Sequence, residues 1–143
     1  MSIEEITAYI SSSFEDVNVT EANNDLFFFY REEKMMPFAT IVTSDNDFDN
    51  ASQLNRKGFF RLNIGIDKTN FITEFNDIEL KKGIGAYLNS GLDFSVENVL
   101  MPHPVYCAMY WVCIVNPHKE NMLKLKPHLD VAYSIAVKRQ NKA

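Results

Sequence analysis

Residues 59–66, with the sequence FFRLNIGI, alternate cleanly between the two sides of an extended chain. One side carries Phe60, Leu62, Ile64 and Ile66, and the opposite side carries Phe59, Arg61, Asn63 and Gly65. A period of two residues is typical of a β-strand that lies between a core and a second environment. The sequence therefore predicts a strand with one apolar side and one side that bears an arginine and an asparagine.

The segments around this strand predict several further strands, with helices at both ends of the chain. The predicted elements are a helix at about 3–14, strands at 17–19, 26–30 and 38–43, a helix from Asp67 to about Phe75, a long strand at 105–115 and a helix at about 121–139 that becomes regular near Pro127. Residues 77–101 hold glycines without a sustained period, and we expect a loop with one short helix there. Sequential strands joined by short turns predict one α+β domain over residues 1–143, with a single mostly antiparallel sheet and helices packed on one face.

Two of the predicted strands are apolar on both sides, LFFFY at 26–30 and VYCAMYWVCIV at 105–115. Helices on one face of the sheet leave its second face open, and an uncovered apolar patch of several hundred Å² is unusual on a monomer. Residues 77–101, a second copy of the chain or a bound apolar ligand are the three candidates for the cover.

The charge and composition exclude several classes of protein. Fourteen basic and nineteen acidic residues among 143 give a net charge of −5, with 46% hydrophobic residues. This balance disfavours nucleic-acid binding, which usually needs a basic face. The chain has no run of about 18 apolar residues and no basic N-terminal leader, so we expect no membrane span and a cytoplasmic location. Cys107 and Cys113, expected on one strand face as buried free thiols, fit a reducing compartment.

The acidic loop after residue 44 matches the spacing of a calcium-binding loop in its first positions but not in its later ones. Asp45, Asp47 and Asp49 alternate as in an EF-hand, but Asn50 stands where the glycine is needed and Arg56 where the bidentate glutamate is needed. We therefore expect a solvated acidic loop rather than a metal site.

Cysteines and histidines near the C-terminal half also lack the spacing of a zinc site or of a nucleophile pair. The residues concerned are His103, Cys107, Cys113 and His118. The chain also lacks a phosphate loop and a nucleophile elbow. We predict no metal, no cofactor and no catalytic residue.

A candidate ligand site lies on the polar side of the strand at 59–66. Arg61 and Asn63 project there, and rings of the long strand could stand beside them, so that a cation and an amide lie on an aromatic floor suited to an anionic or planar ligand. The stiff segment MPHPVY at 101–106 holds a histidine at the entry of that strand. The candidate ligand-binding residues are Arg61, Asn63, His103, Tyr106 and Trp111. The alternative is that Arg61 only pairs with a carboxylate such as Glu32 or Asp67.

Several of these segments resemble known families. PFATIVTSD (37–45), FRLNIGI (60–66), HPVY followed by WVCIVNP (103–117) and AYSIAVKR (132–139) are similar to the signatures of a small uncharacterised bacterial family with a domain of unknown function. More distantly, Asn63, His103, Trp111 and Tyr133 in that order resemble MmcQ/YjbR-like proteins. The resemblance implies an MmcQ/YjbR or CyaY-like α+β fold, and the MmcQ/YjbR-like proteins have been considered as DNA-binding proteins.

Three functions follow as hypotheses. The first is a cytoplasmic binding or interaction domain without catalytic activity, which takes a small-molecule ligand or a second copy of itself on the second face. The second is nucleic-acid binding of the MmcQ/YjbR type. The third is an enzyme for a small anionic substrate with His103 as acid or base, which requires His103 within hydrogen-bonding reach of a pocket that contains Arg61.

Overall fold

The computed structural model describes residues 1–76 and 91–142. In chain order, these residues form α1 (Ile3–Ser13), β1 (Val17–Ala22), β2 (Asp25–Tyr30), β3 (Ala39–Val42), β4 (Arg61–Gly65), α2 (Lys68–Glu74), β5 (Met101–Pro102), β6 (Trp111–Val115) and α3 (Met122–Asn141). Short 3-10 helices cover Cys107–Met109 and Lys119–Asn121.

The strands form a single six-stranded sheet in the order β1-β2-β3-β4-β6-β5. All neighbouring strands in that order run antiparallel. The β1–β2 hairpin turns at Asn23 and Asn24, whose φ angles are +54° and +69°, as a two-residue turn of type I′ requires and as asparagine tolerates. The predicted α+β class with one antiparallel sheet is confirmed.

One side of the sheet, the helix face, is apolar and closed to solvent. Phe28, Ala39, Ile64 and Val112 form a direct cross-strand row on this side, and all four are fully buried. They belong to one core with Ile6 and Ile10 of α1 and with Leu125, Leu129, Ala132 and Ala136 of α3. Each large aliphatic side chain buried there contributes about 1.5–3 kcal/mol, so the helix face holds the domain together.

The helix starts follow the predicted caps. The side chain of Ser2 accepts from the backbone of Glu5 while Glu5 accepts from the backbone of Ser2, which is a complete capping box. Asp67 caps α2 by accepting the backbone N–H of Asn70. These bonds satisfy N–H groups that a helix end otherwise leaves without partners.

The opposite side, here called the second face, carries the row Phe27, Thr40, Asn63, Cys113 and Met101 across β2, β3, β4, β6 and β5. Arg61 lies on the same side, two residues before Asn63 on β4. The predicted alternation of β4 is therefore confirmed, with Leu62 and Ile64 on the helix face.

The prediction of a strand over residues 105–115 is wrong in its first half. Residues Cys107–Met109 form a 3-10 helix, and Tyr110 ends it with a left-handed φ of +65°. The strand begins only at Trp111. It runs antiparallel beside β5, which precedes it in the chain. Cys107 and Cys113 therefore do not share a strand face, although both are buried and neither forms a disulfide, as predicted. An apolar run cannot reveal this turn, because apolar residues without a clear period fit a strand and a short helical turn equally well.

The last helix begins close to the predicted residue 121, but it is regular well before Pro127. Its first residue is Met122, so Pro127 lies inside the helix rather than at its start. Pro127 has no N–H to donate to the carbonyl of Leu123, and the early part of α3 lacks that backbone bond.

The prediction of a loop with one short helix at 77–101 lies partly outside the described residues. Within residues 91–100 the chain forms turns and one bridge between Glu97 and Val115. Among the helices of the described ranges, none has the length and apolar character needed to cross a membrane.

Candidate functional site

The five predicted ligand-binding residues come together on the second face. Four of them line one cavity of about 460 Å³, namely Asn63, His103, Tyr106 and Trp111. Arg61 lies beneath this cavity, fully buried, and contacts both Asn63 and His103. The fold therefore brings together residues that are up to 50 positions apart in the sequence.

Arg61 is the centre of a buried polar network. Its Nη1 donates to Asp49 Oδ1 at 2.9 Å and to Ser52 Oγ at 2.9 Å. Its Nη2 also donates to Asp49 Oδ2, so the ion pair is bidentate. Its Nε donates to Asn63 Oδ1 at 2.7 Å. Through its bonds to Asp49 and Ser52, this guanidinium holds the loop of residues 44–58 against the second face.

Two sequence interpretations of these charges are corrected by the network. Asp49 was expected in a solvated acidic loop, but its side chain is only 14% exposed and pairs with Arg61. The alternative that Arg61 pairs with a carboxylate is confirmed, but the partner is Asp49 and not either of the examples given, Glu32 and Asp67. Glu32 is exposed and Asp67 caps α2, because the loop that precedes β4 folds back over the arginine instead.

His103 is held in a fixed orientation by the chain that follows it. Its Nδ1 accepts the backbone N–H groups of Val105 and Tyr106, both at 3.0 Å. The proton of the neutral ring therefore sits on Nε2. Nε2 lies 3.0 Å from Arg61 Nη2 and 3.7 Å from Asp49 Oδ2. Since the guanidinium cannot accept, an Nε2 proton faces the positive charge of Arg61, and Asp49 Oδ2 at 3.7 Å lies beyond hydrogen-bonding distance.

Burial and charge shift the pKa values of this cluster. Burial, with the nearby charge of Arg61, lowers the pKa of His103 to about 3, so the ring is neutral at pH 7. Burial alone would raise the pKa of Asp49, but the hydrogen bonds and charge of Arg61 outweigh it and lower that pKa. Burial raises the pKa of the Cys113 thiol to about 12, which leaves this cysteine protonated and unreactive.

The mouth of the cavity is apolar and largely open to solvent. Met35 is 83% exposed, Phe48 78%, Met109 52% and Tyr106 49%, and all four line the cavity. Single exposed apolar side chains are ordinary, but a group of them around one cavity marks a binding surface. Methionine side chains adapt to ligands of different shape because they are flexible and polarisable.

Trp111 forms part of the cavity floor because its neighbour on β4 is a glycine. A Cβ atom at Gly65 would lie 2.8 Å from Cε2 of the indole. The ring therefore lies against the β4 backbone, where any other residue would push it away. This close approach is the physical reason for a glycine at that position.

Sequence reasoning missed several residues of the site. Asp49 and Ser52 come from the loop before β4, and the apolar mouth includes Met35, Phe48 and Met109. One signal could have found Asp49: a buried arginine needs a carboxylate, and the acidic loop ends next to the strand that carries Arg61.

The acidic loop also does not form a metal site in the part of the chain that the structure describes. Asp45 Oδ1 accepts the backbone N–H of Leu54, whereas Asp49 pairs with Arg61. No three histidine, cysteine, aspartate or glutamate side chains of residues 1–76 and 91–142 converge as metal ligands.

Comparison with known proteins gives a family but no function. No curated protein and no solved structure matches the chain, and the distant similarity to MmcQ/YjbR-like proteins stays a prediction. The model of one family matches residues 1–143, the whole of the chain. The chain therefore belongs to DUF6194, a family of unknown function.

Proposed function

We propose that this domain binds a small, planar and mostly apolar molecule in the cavity over the second face. The observation that carries the proposal is the convergence of Asn63, His103, Tyr106 and Trp111 on one cavity of about 460 Å³. Ligand sites of proteins have this size and combine apolar walls with a few fixed polar groups. The lining also includes Phe27 on the floor and Phe48 at the mouth, so rings surround the space on several sides.

The polar groups of the floor are rigid, which favours selective binding. Asn63 Oδ1 accepts from Arg61, and Asn63 Nδ2 donates to Thr40 Oγ1 at 2.9 Å. That bond uses one of the two amide hydrogens of Asn63, so the second can meet a carbonyl of a ligand. Arg61 acts in this proposal as a positioning residue, since it is buried and holds Asn63 in place.

The charges of this cavity favour a planar ligand over an anionic head group. The positive charge of Arg61 is already paired with Asp49 and has no exposed surface. Asp49 itself lines the cavity, and the other charged residue of the lining is Asp25. The carboxylate of Asp25 accepts the backbone N–H of Thr43. An anion placed over Asn63 would therefore face two carboxylates, and a neutral ring system would not.

A neutral fluorescent probe tests the proposal. N-phenyl-1-naphthylamine is planar, apolar and uncharged, and it absorbs where tryptophan emits. Trp111 is the single tryptophan of the chain and lines the cavity. We expect saturable binding of one probe per chain, with loss of Trp111 emission by energy transfer to the probe.

A matched pair of variants locates the probe. Met109→Glu introduces a charge at the mouth, and we expect probe affinity to fall about tenfold or more because a buried charge is costly. Leu123→Glu makes the same change at a site on α3 that is 83% exposed and should leave the affinity unchanged. Absence of saturable binding, or equal binding by both variants, would contradict the proposal.

The enzyme hypothesis meets its geometric requirement but not its chemical one. His103 lies within 3.0 Å of Arg61 beside the cavity, as that hypothesis required. A ring with a pKa of about 3 is a weak base at neutral pH, and its Nδ1 is already occupied by two backbone donors. Binding is therefore the function that these contacts support better.

A second copy of the chain is the other occupant that the apolar mouth would suit. The exposed side chains of Met35 and Phe48 support a homodimer across this surface. Sedimentation velocity over a range of concentrations tests it: a dimer that Met109→Glu dissociates would place the interface at the mouth. A monomer at all concentrations would leave the small ligand as the occupant.

Nucleic-acid binding is disfavoured by the same charges. The cavity lining presents Asp25 and Asp49, and the chain has a net charge of −5. An electrophoretic mobility shift assay with duplex DNA at low salt tests this hypothesis, and an unchanged mobility of the DNA would contradict it. We also infer a cytoplasmic location, supported by the two buried cysteines, which are not joined in a disulfide.

A further inference from the structure

A second, smaller cavity adjoins the first. It has a volume of about 140 Å³. Met36, Pro37, Met109 and Trp111 line both cavities. The indole of Trp111 lies at the junction because Gly65, which also lines the smaller cavity, leaves room for it. A planar molecule placed on this ring extends from one cavity towards the other.

The two cavities carry opposite charges. Asp25 lines the larger one together with Asp49, whose charge is offset by its ion pair with Arg61, and Arg139 lines the smaller one. Among the described residues that line either cavity, Arg139 provides the positive charge. The groove formed by both therefore has an acidic end and a basic end, with the Trp111 ring between them.

The guanidinium of Arg139 is available to a ligand. Arg139 is exposed, and its Nη1 donates to the carbonyl of Met36 at 3.5 Å, which is longer than the roughly 2.7–3.2 Å of an ordinary N–H···O bond. Its charge acts on Glu33, whose Oε1 also accepts the backbone N–H groups of Lys34 and Met35. A guanidinium has five N–H groups in a planar fork that fits a carboxylate or sulfonate.

Resting on the binding function proposed above, we propose that the ligand is an aromatic acid. Its ring system lies on Trp111 between the two cavities, and its acidic group pairs with Arg139 at the basic end. The same polarity fixes the direction of binding, because the reverse orientation brings the acidic group towards Asp25 and Asp49.

Two related dyes test the acidic group separately from the ring system. N-phenyl-1-naphthylamine and 8-anilinonaphthalene-1-sulfonate share the same rings, and only the second carries an anionic group. We expect the sulfonate to bind about two- to fivefold more tightly at low salt, the range of an exposed ion pair. This advantage should disappear at roughly 0.5 M salt because exposed charges are screened there.

Substitutions in α3 assign the advantage to one side chain. Arg139→Gln should remove the preference for the sulfonate and leave the affinity for the neutral dye unchanged. Lys138→Gln removes the same charge from the neighbouring exposed position, which does not line either cavity, and should leave both affinities unchanged. Arg139→Lys should keep part of the preference.

The outcomes separate this inference from the function on which it rests. If neither dye binds, both proposals are overturned. If the neutral dye binds and Met109→Glu weakens it, but the sulfonate has no advantage or Arg139→Gln does not reduce it, only the aromatic-acid inference is overturned. An equal loss for Arg139→Gln and Lys138→Gln overturns it as well, because a general effect of helix charge would then explain the preference.

Discussion

The two faces of the sheet use the same strands for different purposes. On the helix face, Leu62 and Ile64 of β4 are fully buried in an aliphatic core. On the second face, Arg61 and Asn63 of the same strand belong to a polar network beneath an open cavity. Aliphatic packing tolerates changes of shape that conserve volume. A buried polar network does not, since each member depends on its partners.

We therefore expect substitutions on the helix face to change stability alone, and substitutions on the second face to change both stability and ligand binding. The helix face has no opening to solvent among its row of four residues, which are all 0% exposed. The second face combines the buried ion pair of Arg61 and Asp49 with exposed apolar side chains. Substitutions on this face therefore test whether the two faces differ in this way.

The largest effect is expected for Asp49→Asn. This change leaves the charge of Arg61 buried without its carboxylate, which costs about 3–5 kcal/mol of unfolding free energy. Urea denaturation measures the loss. Asp47→Asn removes the same charge from an exposed position of the same loop and should cost less than about 0.5 kcal/mol. Similar small losses for both variants would show that the network does not stabilise the second face.

A loss of stability on acidification is expected to come from His103. Its pKa is about 3 in the fold against 6.5 for the free side chain. The unfolded chain therefore takes up the proton first, and the stability contributed by the neutral ring is present above pH 6.5 and lost as the pH falls towards 3. Between about pH 7 and pH 5 this amounts to about 2 kcal/mol.

His103→Asn provides the check on this pH dependence. The asparagine oxygen can accept the backbone N–H groups of Val105 and Tyr106, but the side chain does not titrate, so the acid loss should shrink by about 2 kcal/mol. His118→Asn changes an exposed histidine and should keep the full loss. An unchanged slope in His103→Asn would refute the assignment.

The smallest effect on stability is expected for Gly65→Ala. The new methyl group would lie 2.8 Å from the Trp111 ring, and the half-buried indole can shift into the cavity at a cost of about 1 kcal/mol. Binding of N-phenyl-1-naphthylamine should weaken more clearly, because the displaced ring occupies the floor of the cavity. Wild-type affinity in this variant would argue against Trp111 as the platform.

Much of the fold follows from patterns that lie within single elements. The alternation at 59–66 predicts both faces of β4, and the Ser2 and Asp67 caps predict two helix starts. The break at Tyr110 was missed, because the left-handed turn there depends on tertiary packing rather than on a glycine or asparagine signal.

Part of the membership of the site was predictable, but its connections and the members from the loop before β4 were not. Periodicity placed Arg61 and Asn63 on one side of a strand, and the expected ring and histidine positions also lie beside them. Periodicity cannot say which loop covers a face, so Asp49 was interpreted as solvated. The partner of a buried charge is a long-range property of the fold, and a single sequence carries little information about it.

A direct measurement of the central claim compares the two faces in one experiment. N-phenyl-1-naphthylamine is titrated into isotope-labelled protein, and the amide and indole signals are followed by NMR. We predict that the signal of the Trp111 indole N–H shifts with the amides of Thr40 and Tyr106, whereas the amides of Ile10 and Leu129 stay in place. Shifts centred on the helix face, or no saturable shift of the Trp111 indole, would contradict the assignment of binding to the second face.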